Sequence, residues 1–245
     1  ADETQVIVPA EMLQEEVALL FEKYDLTTSG VVDGAGRLIG MITVDDVMEV
    51  AREEFEEDVL RLGGVGEETV DDSVIQASLK RFTWLLVNLG TAILASLVIG
   101  LFDGTLEEMV ALAILMPIVA SMGGNAGTQT VTVAVRAIAL RQLANMAAWS
   151  FVRRELLVSI LNGVIFAGLS SALSYVWFGD AEIAMVMAVA MFANLIVAGL
   201  SGTVVPLGLL RLGVDPAVAS SVFITTITDV VGFFVFLGLA ALYLI

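Results

Sequence analysis

The 245-residue chain has no cysteine and no histidine. Disulfides and thiolate metal sites are therefore excluded, as are zinc sites and acid–base chemistry that depend on imidazole. Any bound metal must be held through oxygen, which favours hard cations such as Mg²⁺, Ca²⁺ or Mn²⁺. Positive charge is scarce: 11 Lys+Arg stand against 28 Asp+Glu, a net charge of -17. Apolar residues are abundant, at 58% of the chain with a mean hydropathy of +0.92. Soluble domains average about 45–50% apolar, so the composition indicates a membrane protein with a soluble part.

The charge is unevenly spread. Residues 1–79 hold 20 Asp+Glu against 4 Lys+Arg, while residues 80–245 hold 8 against 7. An acidic soluble region repels nucleic acid and anionic lipid and concentrates cations. The sequence opens on Ala1 with no leader-like stretch before the acidic region, and the expectation is a cytoplasmic amino-terminal region or a segment of a longer chain.

Within that region Gln5–Ala10 reads as a short strand, and Met12, Val17, Leu20 and Phe21 mark an amphipathic helix over Glu11–Tyr24. Gly30–Asp33 and Arg37–Thr43 read as strands flanking a Gly34-Ala35-Gly36 turn. Asp45 or Asp46 is expected to cap a long acidic helix running to about Leu62. The predicted order is β-α-β-β-α, a unit close to the size, roughly 60 residues, at which a domain is marginal alone. The acidic helix places like charges at i,i+4, among them Glu49/Glu53, Glu53/Glu57 and Glu54/Asp58, each destabilising by about 0.2–0.5 kcal/mol. Two readings stay open for it: a solvated acidic face, or a surface that senses a divalent cation.

Five hydrophobic spans follow, at about 82–102, 109–135, 155–178, 183–208 and 217–244. Lys80, Arg81, Arg136, Arg141, Arg153, Arg154 and Arg211 all fall at one side of this five-span arrangement, whereas Asp103, Glu107, Glu108, Asp180 and Glu182 fall at the other. By the positive-inside rule the basic side and the soluble region are cytoplasmic and the C-terminus is outside. Ala137–Ser150 is too short to cross and reads as a helix lying at the inner surface.

The last span carries one charge, Asp229, about 18 Å along the helix from Ala217 and so near mid-membrane. A charged carboxylate there costs about 2.5–3.5 kcal/mol on insertion scales, and such residues usually face a wet path or a partner. Ser220, Ser221, Thr225, Thr226 and Thr228 precede it, with Thr225 one turn earlier and Gly232 nearly one turn later. A protonated Asp hydrogen-bonded inside the bundle is the competing reading. The second span is expected to be interrupted at Pro117 and again at Ser121-Met122-Gly123-Gly124-Asn125-Ala126-Gly127-Thr128-Gln129-Thr130, where small residues allow close approach and Asn, Thr and Gln offer oxygens. In the fourth span Asn194, Gly199, Ser201, Gly202 and Pro206 make a milder break, for which packing is the expected role.

Two resemblances follow from these residues. Gly30-Val31-Val32-Asp33, Gly36-Arg37-Leu38-Ile39-Gly40 and Met41-Ile42-Thr43-Val44-Asp45-Asp46 resemble one cystathionine-β-synthase (CBS) motif. Such motifs work in pairs, so a first copy is expected upstream or from a partner chain, and the resemblance implies that Thr43 and Asp46 can hold the ribose of an adenine nucleotide. Met122-Gly123-Gly124-Asn125-Ala126-Gly127-Thr128-Gln129, Leu212-Gly213-Val214-Asp215-Pro216-Ala217 and Thr228-Asp229-Val230-Val231-Gly232-Phe233 resemble the MgtE family of magnesium channels. The likeness covers essentially the whole chain; the family's helical N-domain and first CBS motif lie outside it.

The resemblance implies a mainly α membrane protein: a partial CBS domain over 1–47, an acidic connecting (plug) helix and linker over 48–79, and a five-helix transmembrane domain over 80–245. It implies a homodimer in the cell membrane whose second and fifth spans line one pore. Asp229, the Thr225 carbonyl and Asn125 would form the ion path, and cytosolic Mg²⁺ on Asp46, Glu49, Glu53, Glu54, Glu57 and Asp58 would close it. The expected partners are lipid, divalent cations and a second copy, with no nucleic acid and no enzymatic activity. A proton- or sodium-coupled carrier is the alternative. An intramembrane aspartyl hydrolase ranks low because it needs two carboxylates sharing a site, and a membrane-tethered nucleotide sensor leaves Asp229 unexplained.

Overall fold

A computed structural model describes residues 6–65, 68–69, 71–139, 148–217 and 220–244, apart from the side chains of Glu15, Glu54, Phe55, Asp58, Leu62 and Ser220. The chain divides into two compact units, Ala1–Leu60 and Arg61–Ile245.

The first unit is a three-stranded sheet in the order β1 (Ile7–Pro9), β2 (Thr28–Val32), β3 (Leu38–Thr43). β1 and β2 are parallel, with Val8 opposite Val31, and α1 (Gln14–Tyr24) makes the crossover between them. β2 and β3 are antiparallel. Their turn is built by Asp33, whose Oδ1 accepts from the Ala35 and Arg37 N–H groups at 2.9 Å while its Oδ2 accepts from Arg37 Nε at 3.0 Å. These bonds, led by the Arg37 N–H, hold the Asp33 carboxyl below the ordinary carboxylate range. Gly36 turns the corner at φ +76°, a backbone that a side chain would strain. Val8, Val17, Phe21 and Val47 form the buried core. On β3, Leu38, Ile39 and Met41 remain exposed.

The acidic helix α2 spans Val44–Leu62. Its expected cap is corrected: Asp45 and Asp46 lie in the first turn. Thr43 stands just before the helix, and Asp46 Oδ2 reaches back to accept from the Thr43 N–H at 2.8 Å and hydroxyl at 2.7 Å. An acid three residues into a helix can return to the capping residue in this way, whereas Asp45 cannot.

The second unit contains the five long apolar helices: α3 (Val74–Gly100), α5 (Val110–Ala139), α6 (Ala148–Phe178), α7 (Ala181–Arg211) and α8 (Ser220–Tyr243), with a short α4 (Asp103–Glu108) after α3. Five spans were expected, and five helices long and apolar enough to cross a membrane are found among the described residues. Four of them run further at the basic side than hydropathy alone indicates. α3 begins at Val74 because Ser73 and Gln76 form a reciprocal capping box. Lys80 and Arg81 then sit one or two turns inside the helix, paired with Asp72 at 2.7 Å and Glu68 at 2.5 Å. Long basic side chains let a helix continue through the interface while their heads stay in water. The surface helix expected over Ala137–Ser150 falls mostly on residues 140–147, outside the described residues; Ala137–Ala139 continue α5 and Ala148–Ser150 open α6.

Two successive reversals are polar caps. Asp180 Oδ1 accepts from the Glu182 and Ile183 N–H groups at 2.7 and 3.2 Å, starting α7. Asp215 Oδ1 accepts from the Ala217 N–H at 2.8 Å, and its Oδ2 pairs with Arg61. α7 is the central helix, packed against α5, α6 and α8, while α3 lies mainly on α8. The largest buried cluster gathers at the acidic end, including Leu112, Leu115, Met187, Met191, Phe236 and Leu237. At the basic end there are two smaller clusters, one around Val131 and Ile224 and one around Ala134 and Phe151.

Candidate ion path in the membrane bundle

α5 is unbroken. The interruptions expected at Pro117 and at the Gly-Gly-Asn stretch are not present, and one helix runs from Val110 to Ala139 through both. A continuous helix satisfies every backbone N–H and C=O within the span itself, which outweighs the weak helix propensity of glycine. The same holds for α7, continuous from Ala181 to Arg211 through Asn194 and Pro206.

The small residues are used instead for close approach. A Cβ on Gly127 would overlap Ile224 of α8, and one on Gly124 would touch Thr225 Cγ2 at 3.6 Å. A Cβ on Gly202 of α7 would lie 2.7 Å from Thr130 Cβ and 3.0 Å from the Gly127 carbonyl oxygen. α5 therefore sits directly against both α7 and α8, the kind of interface that small residues permit in a membrane.

The polar residues of α5 are satisfied along its own length. Thr128 donates to the Gly124 carbonyl at 2.9 Å, Thr130 to Ala126 at 3.1 Å and Thr132 to Thr128 at 2.8 Å. Asn125 Nδ2 donates to Ser121 Oγ at 3.3 Å. Ser121, Asn125, Thr128 and Thr132 are all exposed. Their spacing of four, three and four residues puts them on one face of the helix. A continuous polar stripe on the outside of a membrane helix is not a lipid-facing surface; it requires water or another protein surface against it.

On α8, Asp229 is half-buried and Thr225 lies one turn before it. The threonine hydroxyls that precede Asp229 turn back to the helix. Thr225 donates to the Ser221 and Val222 carbonyls at 3.1 Å, Thr226 to Val222 at 2.6 Å, and the fully buried Thr228 to the Thr225 carbonyl at 3.0 Å. A hydroxyl that donates its proton inward still presents lone pairs, so the half-buried Thr225 and Thr226 remain able to accept from water. The Thr225 carbonyl, expected as an ion ligand, is already engaged by Thr228. The Gly124–Thr225 contact brings the Asn125 turn of α5 alongside the Thr225–Asp229 turn of α8.

The candidate regulatory acids do not converge within the described residues, where no three acidic side chains are placed to hold a metal ion. Asp46, Glu49 and Glu53 are exposed, Glu57 is half-buried, and the side chains of Glu54 and Asp58 lie outside the described residues. Thr43 and Asp46 bind each other, which holds the Asp46 carboxyl below the ordinary range. Two polar residues had no assigned place in the ion path. Glu155 is buried in α6 with Arg154 Nη1 at 3.5 Å. Asn194 is buried in α7, where its amide enters the α5–α8 junction. The signal for Asn194 was a polar side chain within an apolar stretch, and for Glu155 an acid beside Arg153 and Arg154 at the start of a span; which helix each would meet depends on contacts remote in sequence.

Comparison with known proteins matches a family described as MgtE, divalent cation transporter, over residues 116–239, which takes in most of α5 and all of α6 and α7 together with nearly all of α8. The chain belongs to the MgtE family. A CBS domain match covers residues 3–53. Three MgtE relatives align along nearly the whole chain, each named magnesium transporter MgtE. The protein of Thermus thermophilus is 37% identical over 246 residues, covering 98% of this chain and 54% of its own length. That of Bacillus subtilis is 34% identical over 241 residues, covering 97% and 53%. That of Enterococcus faecalis is 30% identical over 231 residues, covering 94% and 51%. The chain thus spans about half the length of the MgtE relatives it matches.

Proposed function

We propose that the chain is the CBS-motif and membrane portion of a Mg²⁺ channel, with the ion path running between α5 and α8. The observation that carries this reading is the exposed polar stripe of α5 beside the turn of α8 that holds the half-buried Asp229. In the proposed homodimer a two-fold axis brings the stripe of one protomer against that of its partner, so two Asp229 carboxylates and two Asn125 amides surround one aqueous path. Mg²⁺ releases its water reluctantly and is held well by one or two carboxylates acting through that water. One acid per chain is enough to attract the ion and weak enough to release it. The names of the relatives support Mg²⁺ as the cargo.

In this reading residues 1–47 are half of a CBS pair, 48–79 the connecting helix and linker, and 80–245 the pore domain. The basic side of the bundle faces the cytoplasm, as the soluble unit does, and the C-terminus is outside the cell membrane. Cytosolic Mg²⁺ on Asp46, Glu49, Glu53, Glu54, Glu57 and Asp58 gives the closed state, since a divalent cation relieves the like-charge repulsion along α2. An adenine nucleotide at the CBS motif would have to draw Thr43 and Asp46 away from each other.

The test is Mg²⁺ uptake into liposomes by the wild type and Asp229→Asn at matched dimer content. Uptake is expected to fall to background in the variant, and undiminished uptake contradicts the reading. Uptake that follows an imposed proton or sodium gradient at fixed voltage would instead make the protein a coupled carrier.

A further inference from the structure

At the meeting point of α5, α7 and α8 there is a buried carboxamide. Asn194 is 1% exposed, and it lies against two glycines on two different helices. A Cβ on Gly123 of α5 would overlap its amide, and a Cβ on Gly232 of α8 would lie 2.7 Å from Nδ2 and 3.2 Å from Oδ1. The side chain fills the notch that both glycines leave. Its Nδ2 donates to the Val119 carbonyl of α5 at 2.8 Å, one turn before Gly123. Its Oδ1 has no hydrogen-bond partner among the described residues.

That combination is costly for a purely space-filling residue. A buried acceptor left without a partner is destabilising, and an apolar side chain such as leucine would fill the notch with no orphaned oxygen. What leucine cannot supply is the directional bond to Val119, which fixes how α5 is rotated and how far it is displaced along α7. The contact with Gly232 fixes α8 against the same side chain. Gly123 is two residues before Asn125, and Gly232 is three after Asp229. Both helices that carry the proposed ion path are therefore referenced to one amide on a third helix.

We infer that Asn194 is a positioning residue for the ion path: wedged between Gly123 and Gly232 and bonded to Val119, it sets the separation and rotation of α5 and α8, and so the placement of Asn125 relative to Asp229. It touches no ion itself. The inference rests on the reading of Asn125 and Asp229 as the path.

The test measures the half-saturating Mg²⁺ concentration and the Mg²⁺/Ca²⁺ uptake ratio in liposomes for Asn194→Leu, Asn194→Asp, Asp229→Asn and Ser174→Ala, with unfolding midpoint and dimer elution recorded for each. Ser174, buried in α6 with a hydroxyl that also has no partner among the described residues, controls for the loss of a buried polar group on another helix. Asn194→Leu is expected to shift the half-saturating concentration or the uptake ratio by about fivefold or more, the scale of one lost directional hydrogen bond, while dimer elution holds. Ser174→Ala is expected to leave both readouts unchanged. If Asp229→Asn abolishes uptake while both Asn194 variants match the wild type in concentration dependence and ratio, the inference fails alone. If Asp229→Asn still conducts, the path reading fails and takes this inference with it. If neither Asn194 variant folds, the residue serves the stability of the bundle and the inference is overturned.

Discussion

α3 and α7 have similar length and are both strongly apolar, yet they occupy opposite roles in the bundle. α3 buries a single residue, Ala95, and exposes Leu85, Leu86, Leu89, Leu94 and Leu97. α7 buries fourteen residues and touches three other helices. Hydrophobicity does not separate them, because lipid is as apolar as a leucine side chain and gives no reward for burying one. Side-chain size and polarity do. α7 offers Ala190, Ala198, Gly199, Ser201 and Gly202 at its contacts, with Asn194 among them; α3 offers bulky leucine and valine. On α7 the small residues and Asn194 share the buried face with Met187, Met191 and Leu195, and it is their presence that distinguishes this helix from α3.

The comparison breaks most visibly at a glycine of α7. Gly202→Val places branched carbon against Thr130 and the Gly127 carbonyl, and overpacking of this kind costs about 1–3 kcal/mol. The expected result in a detergent-solubilised thermal melt is a midpoint lowered by roughly 2–12 °C. An unchanged midpoint would mean that α7 is not the packed centre. The exposed stripe of α5 gives the second test. Asn125→Leu removes a polar group from the proposed path and is expected to reduce Mg²⁺ uptake about tenfold while the melt stays within the wild-type range. A raised melting midpoint with normal uptake would make the stripe a lipid-facing defect, no different from the leucines of α3.

On α3 itself, Leu89→Ala and Leu97→Ala are expected to change bundle stability by less than about 0.5 kcal/mol each. A larger loss in the same melt would show that a second protein surface covers this helix. The smallest effect lies outside the membrane, where polar caps rather than small residues set the geometry. Asp33 and Asp46 are both held below their unfolded values by hydrogen bonds. Their stabilisation is complete above the unfolded value, near pH 4, and is lost as pH falls through the lower folded values. Hydrogen exchange in the Asp33–Arg37 turn and the first turn of α2 should rise in that window, and Asp46→Asn should remove the dependence from α2 alone.

Much of this architecture was legible in the residues. The runs of apolar side chains marked five spans, and the β-α-β-β-α order followed from alternation and from the Gly34-Ala35-Gly36 turn. The helix ends were less legible because hydropathy stops at the apolar core while the helix continues through the interface, as α3 does back to Ser73. The unbroken course of α5 was misread for a physical reason. Glycine and proline readily end helices of soluble proteins, where freed backbone groups find solvent, whereas a membrane span gains by keeping every backbone bond within the helix. The place of Asp229 on a helix was legible; its neighbour was not. Nothing local to Thr225 indicates Gly124, and nothing near Asn194 indicates that Gly123 and Gly232 both face it.

In the proposed channel Asp229 is wet and holds a hydrated divalent ion. Anomalous scattering from Mn²⁺ soaked into crystals of a dimeric preparation tests it most directly. The expected result is a peak between the two Asp229 carboxylates, at a water-mediated distance and displaced by excess Mg²⁺. Asp229 side chains sealed in dry helix contacts, with no peak on the axis between protomers, would contradict it.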